Sequence, residues 1–398
     1  MNAYIIKALL TLWDGDTIDA TLDVVADNER DAFAAAEGYS FQDALVPVVS
    51  AQAWSSEYKG EVPCDEDDHT AEVLGCKYGY RLTKKPGMAR IGIIDVDGRN
   101  FPNLALMKIS AYHKAQGDTV EWYDPIFSGH LDKIYLSKVF SFTPDYDYPI
   151  DADEVERGGT GYCISLVNGK EVFDKSKNKQ LPNYIEHIYP DYSLYPDLTK
   201  DTAFGFLTRG CPRGCDFCIV EKKEGRCSIK VADLSEFWRG QKKIVLCDPN
   251  ILACRDWKEL LQQLIDSGAE VDFNQGLDIR LMTEEKAQML SKVRFKEIHF
   301  AWDRYEDKEK VLPKLKLFAE VCKTKLHSHS AIVYTLVNFT TTLEQDLDRI
   351  YTLRKIGYWP YVMIYDKEHC GRVYKDLQRW VNNRFIYSKV TDFNDYKK

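Results

Sequence analysis

From about residue 200 onward, short apolar segments rich in β-branched and aromatic residues alternate six times with amphipathic helical patterns, and this rhythm restricts the fold more than any other feature. The candidate strands are 203–208, 243–246, 271–273, 297–300, 331–337 and 361–365. Strand-helix repeats of about 26 to 40 residues call for parallel strands joined by right-handed crossovers, hence an open sheet or a barrel. In either architecture the loops at the carboxyl ends of the strands carry function. Two helices have clear start signals. Asp256 with Glu259 predicts a capping box ahead of the stripe Trp257, Leu260, Leu261, Leu264 and Ile265, with Gly268 as the stop. Thr342 with Gln345 predicts another, burying Leu343, Leu347, Ile350 and Tyr351.

The first half is less regular. Segments 4–12 and 17–25 read as strands around an Asp14, Gly15, Asp16 turn, with Asp27 and Asn28 capping a helix that runs to about Glu37. Residues 38–85 carry Pro, Gly and acidic loop markers, with a linker expected at Lys84, Lys85, Pro86 and Gly87. Beyond it, strands at 90–95, 119–123 and 133–139 and a helix at 102–116 suggest a doubly wound α/β segment. Gly158, Gly159, Thr160 and Gly161 lack both the G-x-G-x-x-G order and a Walker lysine, so they read as a turn. The expected organisation is a small α+β unit over 1–85, an α/β domain over 86–190 and the β/α repeat over 191–398.

With 44% hydrophobic and 29% charged residues, the chain can bury cores and is not intrinsically disordered. Its apolar runs, such as 91–94 or 5–13 broken by Lys7, fall short of the ~18 residues that span a bilayer. No basic segment precedes the first apolar stretch, so no secretory signal is expected and the cytoplasm is the expected location. The net charge of -9 is uneven: residues 1–199 hold 18 basic and 33 acidic side chains, residues 200–398 hold 35 and 29. Acidic runs at 65–68 and 151–154 read as solvated loops. The basic excess of the second half is too small and too scattered to support nucleic-acid binding.

Eleven cysteines, an odd number, argue against a disulfide framework. Three fall within eight residues: Cys211, Cys215 and Cys218, spaced C-x3-C-x2-C in the loop after the first strand of the repeat. Pro212, Gly210 and Gly214 let the backbone wrap a bound group while its amides point inward, so three thiolates can converge on one iron-sulfur cluster. A four-iron cluster on three cysteines leaves one iron open for chemistry. The competing readings are a zinc site with Cys227 as fourth ligand and three unrelated buried cysteines.

The segment from Thr208 to Cys218, with Phe217 just before the third cysteine, resembles the radical S-adenosylmethionine superfamily, in particular the branch with a cobalamin-binding-like domain in front. The likeness covers roughly residues 190–370, with a weaker echo in 88–150. It implies a partial (β/α)6 barrel in which Cys211, Cys215 and Cys218 ligate a four-iron, four-sulfur cluster and S-adenosylmethionine chelates the open iron, with Phe217 beside the adenine. It further implies one-electron reductive cleavage of the sulfonium to methionine and a 5'-deoxyadenosyl radical, fed by a reductant such as flavodoxin or ferredoxin, with hydrogen abstracted from a substrate the sequence does not identify. The alternatives are an RNA methylthiotransferase-like enzyme, which would be expected to carry further N-terminal cysteines in a cluster pattern and an RNA-binding appendage, and an iron-sulfur electron-transfer or regulatory protein that binds no S-adenosylmethionine. The front domain reads Asp95, Val96, Asp97, Gly98, Arg99 where a cobalamin binder shows D-x-H-x-x-G, so cobalamin is not expected. The remaining cysteines form no C-x2-C pair, so no second cluster is expected.

Other strand ends supply candidate contacts. Asp248 and Asn250 follow the second strand, where the resemblance places an acidic segment that binds the methionyl amino group; taken alone, Asp-Pro-Asn is a turn. Gln275 and Arg280 follow the third strand and Asp303 the fourth, suited to cofactor or substrate, with local Asp278–Arg280 and Asp303–Arg304 ion pairs as the plainer alternative. Tyr334, Asn338, Tyr365 and Asp366 could line the substrate side. His327 and His329 precede the fifth strand and read as non-catalytic.

Overall fold

Asn2–Leu12 (β1) and Thr17–Ala26 (β2) pair antiparallel from Asn2 against Ala26 to Thr11 against Thr17, followed by the helix Glu29–Glu37 (α1). The computed structural model describes residues 2–12, 17–26, 28–37, 48–61, 72–82, 89–167, 170–323 and 330–396. The turn at 14–16, Asp27, the acidic run 65–68, the linker 84–87 and both His327 and His329 lie outside them. Asn28 does cap α1, its Oδ1 accepting from Asp31 N at 3.0 Å. The segment 38–85, ambiguous in the sequence, holds two long strands, Val48–Glu61 (β3) and Glu72–Leu82 (β4), which flank the hairpin in the order β3-β1-β2-β4. Small and polar residues blur the period-two pattern in β3, whereas in β4 Leu74, Cys76, Tyr78, Tyr80 and Leu82 do alternate with Gly75, Lys77, Gly79 and Arg81, a signal that the glycines masked.

The chain divides into two units: 1–164 with 176–194, and 165–175 with 195–398. Besides the antiparallel sheet, the first unit contains a second, parallel sheet of Arg90–Asp95 (β5), Thr119–Trp122 (β6), Leu131–Ser137 (β7) and Ala152–Gly158 (β8) in the order β6-β5-β7-β8. Between β5 and β6 runs Leu104–Ala115 (α2), capped by Asn103. Loops rather than helices join β6 to β7 and β7 to β8, so the doubly wound pattern is incomplete. The acidic run 151–154 is not a loop but opens β8, where Glu154 and Glu156 both pair with Lys133 of β7 at 3.0 Å. Gly159 has φ 98 and leads into a single 3-10 turn, Thr160–Cys163. Ile164–Val167 (β9) and Lys170–Phe173 (β10) form a two-stranded ribbon, followed by the one-turn helices Asn183–Glu186 (α3) and Pro196–Thr199 (α4).

The second unit is built on parallel strands. Thr202–Gly205 (β11), Lys243–Leu246 (β14) and Glu270–Phe273 (β15) form one three-stranded sheet, with Thr202, Lys243 and Glu270 in register. Ile298–Ala301 (β16), Ala331–Val337 (β17) and Trp359–Ile364 (β18) form another. A single parallel bridge from Leu277 to Phe300 links them, so the six strands follow chain order. The first strand is shorter than expected and is continued by Thr208–Arg209 (β12), which turns to pair antiparallel with Ile229–Lys230 (β13) after the short helix Val220–Glu224 (α5). The later crossovers are Trp257–Ser267 (α6), Glu284–Leu290 (α7), Lys308–Cys322 (α8) and Leu343–Lys355 (α9), with Arg372–Asn382 (α10) after β18. Two short helices, Arg384–Lys389 (α11) and Phe393–Tyr396 (α12), end the described chain.

Helix α9 begins with the expected Thr342–Gln345 capping box. At α6 no such box forms: Asp256 makes no side-chain cap bond, and Glu259 instead meets Lys230 at 2.8 Å; Gly268 still closes the helix with φ 63. Leu260, Leu261 and Leu264 are buried as the stripe requires. Among the described residues no helix is long and apolar enough to cross a membrane.

One buried ion pair joins a helix to the strand ends. Arg349 and Asp346 of α9 are fully buried and meet at 2.5 Å. Arg349 also donates to the carbonyls of Trp302 at 2.5 Å, Asp303 at 2.9 Å and Leu336 at 2.6 Å, while Asp346 accepts from Thr341 Oγ1 at 2.5 Å. A single truncation, Arg349→Met, leaves a carboxylate and three carbonyls without their donor and is expected to cost ~3–5 kcal/mol in urea unfolding of this unit. The double variant Asp346→Leu/Arg349→Met is expected to recover a large part of that loss; a double variant as unstable as the sum of the singles would refute the coupling.

Candidate functional site

The loop bearing the three cysteines leaves β12 at Gly210, whose φ of 85 is one that side-chain-bearing residues rarely adopt. A Cβ there would also lie 2.1 Å from the Cys227 carbonyl oxygen, so only glycine lets the loop pass against that segment. Cys211 N then donates to Gly225 O at 3.2 Å, and Cys218 N to Cys215 O at 2.9 Å, which folds the cysteines into one compact turn. Glu224 closes the base of the loop, accepting from Arg209 at 2.9 Å and Gly210 N at 3.1 Å.

Asp248, at the end of β14, explains why β11 stops early. Its side chain is buried and accepts from Leu207 N at 3.0 Å, Thr208 N at 2.6 Å and Thr208 Oγ1 at 2.6 Å. Those donors are drawn out of the β11 ladder and the chain turns into the cysteine loop. Burial pushes the Asp248 carboxyl up to about 6, although all three hydrogen bonds oppose the change. Two residues on, Asn250 is 2% exposed; its Nδ2 donates to Cys211 Sγ at 3.4 Å and its Oδ1 is buried with no partner among the described residues.

Charges from two further strand ends act on the thiols. Burial raises Cys215, and the Arg280 guanidinium opposes it, while Cys218, Asp303 and Cys211 add to the rise. Cys218 is likewise raised by burial, with Cys211, Asp303 and Glu224 adding to it and the Val220 amide opposing. Asp303 is itself lifted by burial to about 6, against the pull of Arg349 and Arg280. All three thiols are free and none is fully buried. Among the described residues no His, Cys, Asp or Glu side chains are already gathered as a metal-holding group. The donor chemistry nevertheless fits a cationic, sulfur-seeking group: thiolates that raise one another ionise together only with positive charge between them, and a buried amide already points its N–H at one sulfur.

The candidates after the third and fourth strands divide. Asp278 and Arg280 do pair, at 2.8 Å, but within a longer chain of alternating charge in which Arg213 of the cysteine loop also binds Asp278, and Arg280 reaches Asp307 at 3.1 Å. Burial pushes the Asp278 carboxyl up, and the bond and charge of Arg280 with that of Arg213 outweigh it, so it lies below the usual range. The Asp303–Arg304 pair does not form: Arg304 turns to Asp216 in the cysteine loop at 2.7 Å. Gln275 stands exposed in the loop after β15. Phe217 packs edge-on against Phe339 at 5.5 Å, and Phe339 lies 4.7 Å from Tyr365, so an aromatic row leads from the cysteine loop to the end of β18.

Several neighbours escaped sequence reading. Arg349 and Asp346 sit three apart inside an apolar stripe, a signal that was there to be used. Arg213 and Arg304 are surface-type residues whose partners lie 65 and 88 positions away. His299 stacks on Tyr334 with rings 2° from parallel and 5.3 Å apart, and its Nδ1 is buried without a partner among the described residues. On the same side of the strands Tyr361, Met363 and Tyr365 are 42, 47 and 43% exposed, an open aromatic face. Asn338 and Asp366, at the ends of β17 and β18, hold φ of 60 and 50, and Asn338 Nδ2 donates to Tyr365 O at 3.1 Å.

No protein-family model matches this chain, and no curated protein matches it either.

A carboxyl raised by folding stabilises the protein while protonated, fully so below its ordinary value, and loses that contribution as pH rises through its folded value. For Asp248 the window runs from 3.8 to about 6. Over it the wild type is expected to lose on the order of 3 kcal/mol more than an Asp248→Asn variant, whose penalty for a misplaced donor does not vary with pH. Parallel stability-pH curves for the two proteins, measured by urea unfolding, would disprove this.

Proposed function

We propose that this chain is a radical S-adenosylmethionine enzyme in which Cys211, Cys215 and Cys218 hold a four-iron, four-sulfur cluster and the six parallel strands form a partial (β/α)6 barrel around the site. The observation that carries this reading is the loop of three free thiols at the carboxyl end of the first of six parallel strands in chain order, within the electrostatic reach of Arg280 and Asp303 from the third and fourth strand ends. The bound cluster and S-adenosylmethionine supply one-electron cleavage of the sulfonium and, from it, hydrogen abstraction from substrate.

The chain's own residues bind, orient and shield. Asn250 donates an N–H to the Cys211 sulfur and offers its unpartnered Oδ1 to the methionyl ammonium. Asp248 acts through the backbone by fixing Leu207 and Thr208, where the loop begins. The Arg280 charge favours the Cys215 thiolate and is itself fixed by Asp278 and Asp307. Asp303, lifted to about 6, exists in both protonation states near neutrality and can donate or accept a hydrogen bond at the cofactor. Phe217 with Phe339 makes an apolar wall against water, and Gln275 remains open to a polar contact. Substrate would approach across Tyr361, Met363 and Tyr365. Electrons would come from a donor such as flavodoxin or ferredoxin in the cytoplasm, where these thiols stay reduced.

Anaerobic reconstitution is expected to give about four iron and four sulfide per chain. Under a strong reductant the protein should then release 5'-deoxyadenosine and methionine from S-adenosylmethionine, and Cys215→Ala should bring release to background. One bound zinc and no sulfide would overturn the cluster. A full cluster with no S-adenosylmethionine binding by calorimetry would leave an electron-transfer or regulatory protein instead.

A further inference from the structure

Four consecutive strands of the second unit each turn one polar side chain away from their helices. On β16, Phe300 meets Phe318 of α8 at 4.8 Å, so His299 next to it points the other way. On β18, Val362 packs in a core with Leu377 and Trp380 of α10, which leaves Tyr361 on the opposite face. Tyr334 of β17 is paired with Tyr361, and residues paired on parallel strands share a face. On β15, Asp272 lies between the buried Val271 and Phe273. The four side chains form one group: the His299 ring is 5.3 Å from that of Tyr334, Tyr334 is 5.7 Å from Tyr361, and the Asp272 charge acts on both His299 and Tyr334. Gly276, with φ 79, brings the loop after β15 to the same place; a Cβ there would stand 3.3 Å from His299 O and 3.5 Å from the Tyr334 ring.

Polar groups set this close together ordinarily hydrogen-bond to one another. Among the described residues these do not: the Asp272 carboxylate and the Tyr334 and Tyr361 hydroxyls make no hydrogen bond, the buried Nδ1 of His299 has no partner, and its Nε2 stays 3.9 Å from Glu297. The charge balance of the row is simple. The acids on either side have basic partners, Glu270 with Lys243 at 4.0 Å and Glu297 with Arg384 at 2.8 Å. Asp272 has none. Loss of water and the charges of Glu297 and Glu270 push its carboxyl up, only His299 opposes them, and no lysine or arginine charge acts on it. Burial in turn holds His299 below its usual value, against the pull of Asp272 and Glu297, so the imidazole is neutral near pH 7. One carboxylate without a counter-charge, flanked by neutral hydrogen-bonding groups, disfavours an anion and suits a positively charged donor.

We propose that this row binds a basic nitrogen, an ammonium or guanidinium on an apolar body, with Asp272 as its charge partner, the Tyr334 and Tyr361 hydroxyls as acceptors, and the apolar body lying along the exposed Met363. Calling that group part of the substrate rests on the radical reading of the cysteine loop; the binding itself does not. The test is calorimetric titration of the full chain, without cluster, with three probes of one shape: benzylamine, benzyl alcohol and benzoate. Benzylamine is expected to bind saturably and at least about tenfold more tightly than the alcohol, with benzoate weaker still. Asp272→Asn should bring benzylamine down to the level of the alcohol, and Tyr334→Phe, which keeps the ring stacked on His299, should weaken it several-fold, both with an unchanged circular dichroism spectrum. Cys215→Ala should leave benzylamine binding as it is, so loss of the cluster and loss of this site are told apart. No heat at millimolar benzylamine, equal binding of amine and alcohol, preference for benzoate, or full affinity in Asp272→Asn would each overturn the proposal, whether or not the chain releases 5'-deoxyadenosine.

Discussion

A single buried carboxylate decides where the first parallel strand ends and the cysteine loop begins. Asp248 takes both backbone amides of Leu207 and Thr208, and with them the hydroxyl of Thr208. Without that capture the ladder between β11 and β14 could run on past Gly205, and Gly210 would not reach the position from which the loop folds back on Gly225. The cost is visible in the chemistry of the group itself. Three donors do not fully offset the loss of water, and burial pushes the carboxyl up to about 6. Local geometry at the candidate site is thus maintained against an electrostatic penalty.

The ends of β16 and β17 use a different device. Arg349 spans from α9 to three carbonyls at the ends of β16 and β17, and Asp346 neutralises it, so a helix on the outside of the sheet fixes the loops at its carboxyl edge. Between these two anchors runs the alternating row Arg213, Asp278, Arg280, Asp307, which ties the cysteine loop to two later crossovers. Ion pairs of this kind on open surfaces contribute little. Here Asp278 is only 8% exposed and has two guanidinium partners, so the row acts as a cross-brace.

The repeat was legible because each strand interior is apolar and each helix carries a stripe: β14 and β17 match their expected limits, and the others differ by one to three residues. The place of the cysteine loop after the first strand was legible from the strand pattern. What failed had physical causes. β3 mixes small and polar residues that hide a period, the alternation of β4 from Leu74 to Leu82 is interrupted by two glycines that read as loop markers, and β8 shows acidic residues because lysine on its neighbour compensates them. The Asp256 box failed because Asp256, at φ -90 and ψ 16, lacks the extended backbone of an N-cap, while Glu259 turns to Lys230. At the site, Asp248, Asn250, Arg280 and Asp303 were singled out by their place after a strand, whereas Arg213, Arg304, His299 and Arg349 act through partners that no local window contains.

That difference in sequence range bears on the order in which the site can assemble during synthesis. The three cysteines lie within eight residues, so closing their loop costs little chain entropy, and the turn can form as soon as it leaves the ribosome. Its braces come later: Asp248 follows by some 30 residues, Asp278 by 60, and Arg304 by more than 80. A nascent chain therefore displays three adjacent thiols before anything shields them, and for that interval their fate is set by the surrounding redox conditions rather than by the fold.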